Sequence, residues 1–405
     1  MPNTQLQRRV VRTLASAQVL NSIGVAGTFA AGSLLVFSIT GSETLTGFAQ
    51  TSGVLGAAAL ALPLARLTAQ GGRRLALSVG YTAGVIGSIF AILGGTERNF
   101  FLMLTGTFLI GAASAAGYQA RFAAIDLATN ETRAKQLSIV VWGSTIGAVA
   151  GPNLMEPSGN LAENFGLPRL VGPFLISATT LLFATAVIQI FLRPDPYLTA
   201  EKQAQVIQHK GSTKAALSHI RSSPNALFAI SAIAVGHVAM VTVMVMTPIH
   251  MAQVDVTLKV IGLVLSVHVF GMFAFSPIVG SLSDRFGHIR VIQIGLFILL
   301  ASTIVAGTSA PDNTIKLGIG LFLLGLGWSC TLIAGSALLS ESVSLEMRPA
   351  SQGASDLVMN LSGAGGGALA GVIIGTLSYG WLCLFAAVPV VVLSIQSRRL
   401  AKVIV

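Results

Sequence analysis

Apolar residues run along this chain in blocks, each about 20 residues long, the length needed to cross the hydrocarbon core of a bilayer as a helix. Twelve such blocks are present: 14–39, 46–67, 75–94, 100–122, 137–155, 170–192, 226–251, 258–280, 290–308, 315–339, 353–377 and 379–397. Most of the polar stretches between them are short. The one long connector runs from Arg193 to Asn225 and opens Arg-Pro-Asp-Pro, whose prolines stop a helix. The pattern predicts an all-α membrane protein with twelve transmembrane helices. It divides into a six-helix bundle over 1–192, a connector over 193–225 and a second six-helix bundle over 226–405. Arg8, Arg9 and Arg12 precede the first block, which from Leu14 to Ile39 is too long for the apolar core of a signal peptide and reads as the first span.

Composition agrees with this reading. The chain is 53% hydrophobic and only 9% charged, with mean hydropathy +0.80, whereas soluble domains carry about 25% charged residues. Its 44 glycines suit close helix approach in lipid. Cys330 and Cys383 sit in apolar runs without CxxC spacing, so neither a disulfide framework nor a zinc site is expected. The net charge of +10 follows the membrane and does not indicate nucleic acid. With the N-terminus inside, all but four of the 24 Lys and Arg residues fall on the inner side; Arg98, Arg169, Lys259 and Lys316 are the exceptions. The positive-inside rule then places both termini and the connector in the cytoplasm, and the chain in the cytoplasmic (inner) membrane.

The two halves repeat. Gly72, in AQGGRR, and Gly287, in GSLSDRFGHIR, lie 215 positions apart; the same offset relates Glu131-Thr-Arg133 to Glu346-Met-Arg348. Gly143, Gly147 and Gly151 in the fifth block match Gly363, Gly367 and Gly371 in the eleventh at an offset of 220. The loop from Gly280 to Arg290 resembles the G-x-x-x-D-R-x-G-R/K signature of the major facilitator superfamily. That resemblance covers the whole chain and implies two pseudo-symmetric six-helix bundles working by alternating access. It implies that Asp284 caps a neighbouring helix end, and that Gly280, Asp284, Arg285, Gly287 and Arg290 form a cytoplasmic gate. The N-terminal copy departs, with Ala69 and Gln70 in place of Asp and Arg. IGAVAGPN, ending in Gly151 and Pro152, resembles a helix-five signature of exporters in the same superfamily; its glycines serve equally as a packing face.

Methionine and histidine concentrate in blocks seven and eight. They hold five of the ten methionines and all three intramembrane histidines, His237, His250 and His268. Met240 and Met244 are four residues apart and share a helix face, as do His268 and Met272. Counted from residue 256 between the blocks, Met244 and His268 are each twelve positions away, Met240 and Met272 sixteen. In a helical hairpin the pairs are level, roughly 15–20 Å below the outer surface at about 1.5 Å per residue, near the bilayer middle. Thioethers and imidazole are a soft, uncharged ligand set suited to Cu(I) and poor for Mg, Ca or Mn. Methionine also fills helical cores by itself. An ionisable group inside the membrane, however, points to function. M-x-x-x-M followed by H-x-x-x-M, with MTP-x-HM between, resembles the CcoA-like bacterial copper importers. The resemblance implies copper as the transported ion, bound by Met240, Met244, His268 and Met272, for haem–copper oxidase assembly. His237, His250 and Met251 are candidate accessory ligands along the path, and no role carries over to Cys330 or Cys383. Relatives in that group carry riboflavin.

Among other polar residues, Arg121 is a candidate gate residue facing Asp126 or a neighbouring helix end. Asp356 and Asn360 form a candidate proton or polar site; Asp356 also fits an acid at a helix start, or a partner of Arg121. No block carries an acid at its middle, so a proton-coupling carboxylate is not evident. A cation entering a negative interior gains about 2.3 kcal/mol per charge for every ~100 mV, which drives uptake where a cytoplasmic copper acceptor captures the ion. No nucleotide loop, catalytic triad or hydrolytic carboxylate pair is visible, so the chain reads as a transporter and not an enzyme, with no resident cofactor. Uptake of an organic nutrient such as riboflavin, and proton-coupled efflux of drug-like molecules, are the alternatives to copper import. A fluorescent protein that matures only in the cytoplasm, inserted in the 193–225 connector, is expected to fluoresce. The same insertion beside Asp312 is expected to stay dark.

Overall fold

The structure, a computed structural model, describes residues 4–42, 45–204, 213–252, 254 and 257–403. The regular structure among them is helical. The first half holds α1 (Thr4–Thr40), α2 (Gly47–Thr96), α3 (Phe100–Ala123), α4 (Arg133–Asn153), α5 (Met155–Asn164) and α6 (Gly172–Phe191). Two short helices follow, α7 (Pro196–Gln203) and α8 (Thr213–Ser222). The second half holds α9 (Pro224–Ala252), α10 (Leu258–Phe273), α11 (Ser276–Phe286), α12 (His288–Gly307), α13 (Thr314–Glu341), α14 (Arg348–Thr376) and α15 (Tyr379–Val403). Lys210 of the connector lies outside the described residues.

Among the described residues, and with α2 counted once, ten helical segments are long and apolar enough to span a membrane, or eleven when the bent pair α4–α5 counts as one span. One of them, α2, covers two expected blocks. It is two helices, one for each block, and they lie side by side: a Cβ on Gly80 would come within 3.3 Å of the Leu64 side chain, which residues 16 apart in one straight helix cannot do. Gly72, at φ 84° and ψ 177°, breaks it between the two blocks. The eighth block is likewise two helices, α10 and α11, with Pro277 in the first turn of the second. Long apolar side chains such as Phe101, Phe297 and Ile315 stay exposed, which is the signature of helices solvated by lipid.

The chain packs as two compact units. Unit 1 comprises 1–129, 139–216 and 345–357; unit 2 comprises 130–138, 217–344 and 358–405. Packing therefore departs from a division at the connector in two places. The start of α4 belongs to unit 2 and the start of α14 to unit 1. In unit 1, α2 and α3 approach backbone to backbone: a Cβ on Gly94 would lie 2.5 Å from the Met103 nitrogen, and one on Gly106 2.5 Å from the Ala91 nitrogen. Val10, Leu14, Leu35, Tyr81, Met103, Phe174 and Leu181 fill the core around them. In unit 2, α13 is the central helix and packs on α9, α10 and α12.

The duplication reappears in the backbone. Gly72 and Gly287 both have positive φ, 84° and 92°. A single 3-10 turn, Asn130–Thr132 or Leu345–Met347, precedes α4 and α14 alike, again 215 positions apart. At Gly72 only glycine fits, because the backbone is left-handed and a Cβ would meet the Asp195 carboxylate at 2.5 Å. Gly72→Ala is expected to cost about 1–3 kcal/mol, read as a lower thermal midpoint in detergent. Gly262→Ala, on α10 where nothing lies within 4 Å, serves as the neutral control.

Candidate functional site

His268 sits on α10 and is fully buried. Its Nδ1 donates to the Leu321 carbonyl on α13 at 2.8 Å, which in the neutral ring leaves the lone pair on Nε2. That nitrogen is buried and has no hydrogen-bond partner. Leaving a buried acceptor unpaired costs about 1–3 kcal/mol. The Leu321 carbonyl thus fixes both the tautomer and the orientation of the ring. Gly325 of α13 allows the approach, since a Cβ there would lie 2.8 Å from the Met272 nitrogen. Met272, one turn along from His268, is buried, as is Met240 on α9; Met244 is half-buried. α9 and α10 do not pack as the hairpin expected from the depth count: they hardly touch, and each packs on α13.

The accessory candidates have other contacts. His237 Nδ1 accepts from Trp328 Nε1 at 3.1 Å, and its ring lies over Gly363, where a Cβ would come within 2.6 Å. His250 stacks on Tyr379, with ring centroids 4.2 Å apart and planes 9° from parallel, and its Nε2 is 3.4 Å from the Ser309 carbonyl. The Tyr379 hydroxyl bonds Thr247 at 2.7 Å. Met251 is fully buried. Nothing in the motif spacing signals Trp328 or Tyr379, because aromatic partners arrive from distant helices.

The loop joining α11 and α12 is built around Asp284. Its two carboxylate oxygens accept from the Ala134 and Lys135 nitrogens, both at 2.8 Å, so it caps α4. Gly280 lets α11 reach α4, since a Cβ would lie 2.6 Å from the Ala134 carbonyl. Gly287 supplies the left-handed residue before α12. Arg285 and Arg290 are exposed; the Arg285 guanidinium lies 5.3 Å from the Phe286 ring centre. A cavity of about 480 Å³ opens here, lined by Asp284, His288, Arg290 and Glu341 among others. The Glu341 carboxylate lies 3.2 Å from the Arg133 guanidinium and 3.3 Å from His288 Nε2. The second nitrogen of His288, Nδ1, bonds the Ser283 hydroxyl at 2.7 Å.

The 215-position offset carries this cluster onto its counterpart in unit 1. Glu341 maps to Asp126, His288 to Arg73 and Arg133 to Arg348. Arg73 and Asp126 do form a buried two-pronged pair, at 2.8 and 3.1 Å, and Arg73 also donates to Gln352 Oε1 at 2.7 Å. Arg348 adds its field to Asp126. The missing acid at Ala69 also has an explanation. Position 134, whose N–H Asp284 caps, maps to Pro349, which has no N–H to offer. Asp195 instead accepts from the Arg74 nitrogen at 2.7 Å and caps α7.

Asp126 is therefore not the partner of Arg121. Arg121 pairs with Asp356 at 2.5 Å and lies 4.6 Å from the Phe122 ring centre. Asp356 is the ninth residue of α14, too deep for the N-terminal dipole to hold, so the helix-start reading of this acid gives way to the ion pair. Asn360, one turn on, is buried. Gly143, Gly147 and Gly151 all face α1: their Cβ atoms would meet the Ala15 carbonyl at 3.1 Å, the Ile23 nitrogen at 2.5 Å and the Ala26 Cβ at 2.6 Å. They are a packing face. The side chain of Pro152 lies outside the described residues. Of the matching face on α14, Gly371 meets nothing within 4 Å. Also in unit 1, Gln18 donates to the Ser144 hydroxyl at 2.9 Å, while Gln18 Oε1 and Asn21 Oδ1 are buried without partners.

Apolar helices, a duplicated loop and buried polar groups together describe a polytopic helical membrane protein. The chain belongs to the Major Facilitator Superfamily, whose family model matches residues 14–257 and 236–402. It is 34% identical to YdeG of Bacillus subtilis, an uncharacterized MFS-type transporter, over 96% of this chain and 92% of that one. It is 27% identical to RfnT of Brucella anthropi, a riboflavin transporter, over 89% of this chain and 87% of that one. In fold it matches the E. coli fucose:proton symporter FucP with TM-score 0.73 at 16% identity, over 96% of this chain and 98% of that one. The protein is a multi-pass membrane transporter.

The paired clusters differ in exposure. Asp126 and Arg73 are buried, while a third of the Glu341 side chain is open. Asp126→Asn leaves Arg73 buried and uncompensated and is expected to cost about 3–5 kcal/mol. Glu341→Gln is expected to cost less. Thermal midpoints of the two variants, compared with the parent, check the order.

Proposed function

We propose that this transporter imports copper across the cytoplasmic membrane by alternating access, with Met240, Met244, His268 and Met272 as the ligand set. The observation that carries the reading is His268: its Nδ1 is tied to a carbonyl and its Nε2 is buried and unpaired. Copper is the substrate, and three thioethers with one neutral imidazole bind Cu(I) without fixed charge. His237 and His250 are held by Trp328 and Tyr379 and act as structural residues near the path, as does the buried Met251. The loop around Gly280, Asp284, Arg285, Gly287 and Arg290, together with the Arg121–Asp356 pair, forms the cytoplasmic gate. Asp356 and Asn360 then belong to gating and not to proton transfer. The membrane potential drives the ion inward to a cytoplasmic acceptor.

A second reading, uptake of riboflavin, is supported by the similarity to RfnT. Cells expressing the protein are to be assayed for copper and riboflavin accumulation, parent against Met244→Ala with His268→Ala. Copper accumulation at background in the double variant, at unchanged protein level, is the expected result. Unchanged copper accumulation removes the ligand assignment. Riboflavin accumulation above empty-vector cells, with copper at background in the parent, replaces the first reading with the second.

A further inference from the structure

Unit 1 contains a polar site that the thioether set does not use. Gln18 and Asn21 lie three residues apart on α1, on one face, and are 8% and 4% exposed. The Ser144 hydroxyl on α4 takes the Gln18 amide N–H at 2.9 Å and so fixes that side chain. Gln18 Oε1 and Asn21 Oδ1 are left as two buried carbonyl oxygens without a donor. Both carboxamides converge on Gly117 of α3. A Cβ built there would lie 3.2 Å from Gln18 Oε1 and 3.5 Å from the Asn21 amide carbon, and closer still to its nitrogen. Glycine at this point leaves the space into which the two amides project.

Two bare amide oxygens call for hydrogen-bond donors. A hard divalent cation takes six to eight oxygens, usually with carboxylates, and two amides with one hydroxyl fall short of that. A neutral N–H fits. An N–H flanked by carbonyls fits better, because a carboxamide can accept from the N–H and return its own N–H to the neighbouring carbonyl. We propose that Gln18 and Asn21 bind the amide or imide N–H edge of a neutral planar solute, with Gly117 as the floor of the site. The inference rests on the organic-nutrient reading, and riboflavin, whose ring carries one imide N–H, is the probe.

Riboflavin fluorescence is titrated with purified protein in nanodiscs, and the titration is repeated with riboflavin methylated at the imide nitrogen. Saturable binding of riboflavin, at least tenfold weaker for the methylated probe, is the expected result. Gly117→Ala places a methyl under both amides and displaces only the end of a flexible side chain. It is expected to weaken riboflavin binding at least tenfold with no fall in thermal midpoint, and Asn21→Leu to do the same to binding. Equal affinity for the two probes, or binding unaffected by Gly117→Ala and Asn21→Leu, overturns this site while leaving riboflavin as cargo. Absence of saturable binding overturns both. A sodium-induced rise in thermal midpoint that Asn21→Leu abolishes also overturns the assignment, in favour of a cation.

Discussion

An arginine keeps its charge when it is buried, so a helix that buries one is best served by a carboxylate brought to it from elsewhere in the chain. Arg73 and Arg121 are among the largest fully buried side chains of this protein. Each is matched by an acid far away in sequence, Asp126 for the first and Asp356 for the second. These pairs fix which helix ends meet in unit 1. Arg121 ties α3 to the ninth residue of α14, and Arg73 reaches both the end of α3 and Gln352. The glycine contacts between helices add close approach, but they do not choose partners as a charge does.

The duplicated architecture uses this constraint twice with different chemistry. In unit 1 the cation facing the acid is an arginine, charged at every accessible pH. In unit 2 the corresponding cation is His288, which pairs as an ion with Glu341 only while protonated. Arg133 holds Glu341 in either case. The helix start beside each pair also differs. Asp284 caps α4 through two backbone N–H groups. At the equivalent start of α14, Pro349 removes one of those groups, and the acid that would have bound it is gone as well. Loss of the donor and loss of the acceptor at matched positions leave neither group unsatisfied.

Much of the fold was legible in the sequence because lipid leaves few choices. Long apolar blocks become helices, and a repeated loop marks a duplicated unit. Gly72 and Gly287 were visible as a pair because positive φ admits glycine at low cost. What the blocks did not reveal was how tight the turn between the second and third is: one left-handed residue, Gly72, separates the two helices. The polar partners were harder still. Arg121 could be seen as a charge seeking an acid, but Asp126 and Asp356 both qualified, and only packing decides. The methionine and histidine face was legible from its four-residue spacing. The role of α13 between α9 and α10 was not, since Leu321 acts through a main-chain carbonyl that any residue would supply.

The bond from Trp328 to His237 has a use of its own. The chain has three tryptophans, and this one has its indole N–H held by an imidazole on α9 while its ring meets Phe273 edge-on at 5.6 Å. An indole with a single polar partner in apolar surroundings emits at a wavelength set largely by that partner. Separation of α9 from α13 would break the bond, so in a variant with Trp142 and Trp381 replaced by Phe the remaining indole would report the position of the central helix without any attached dye.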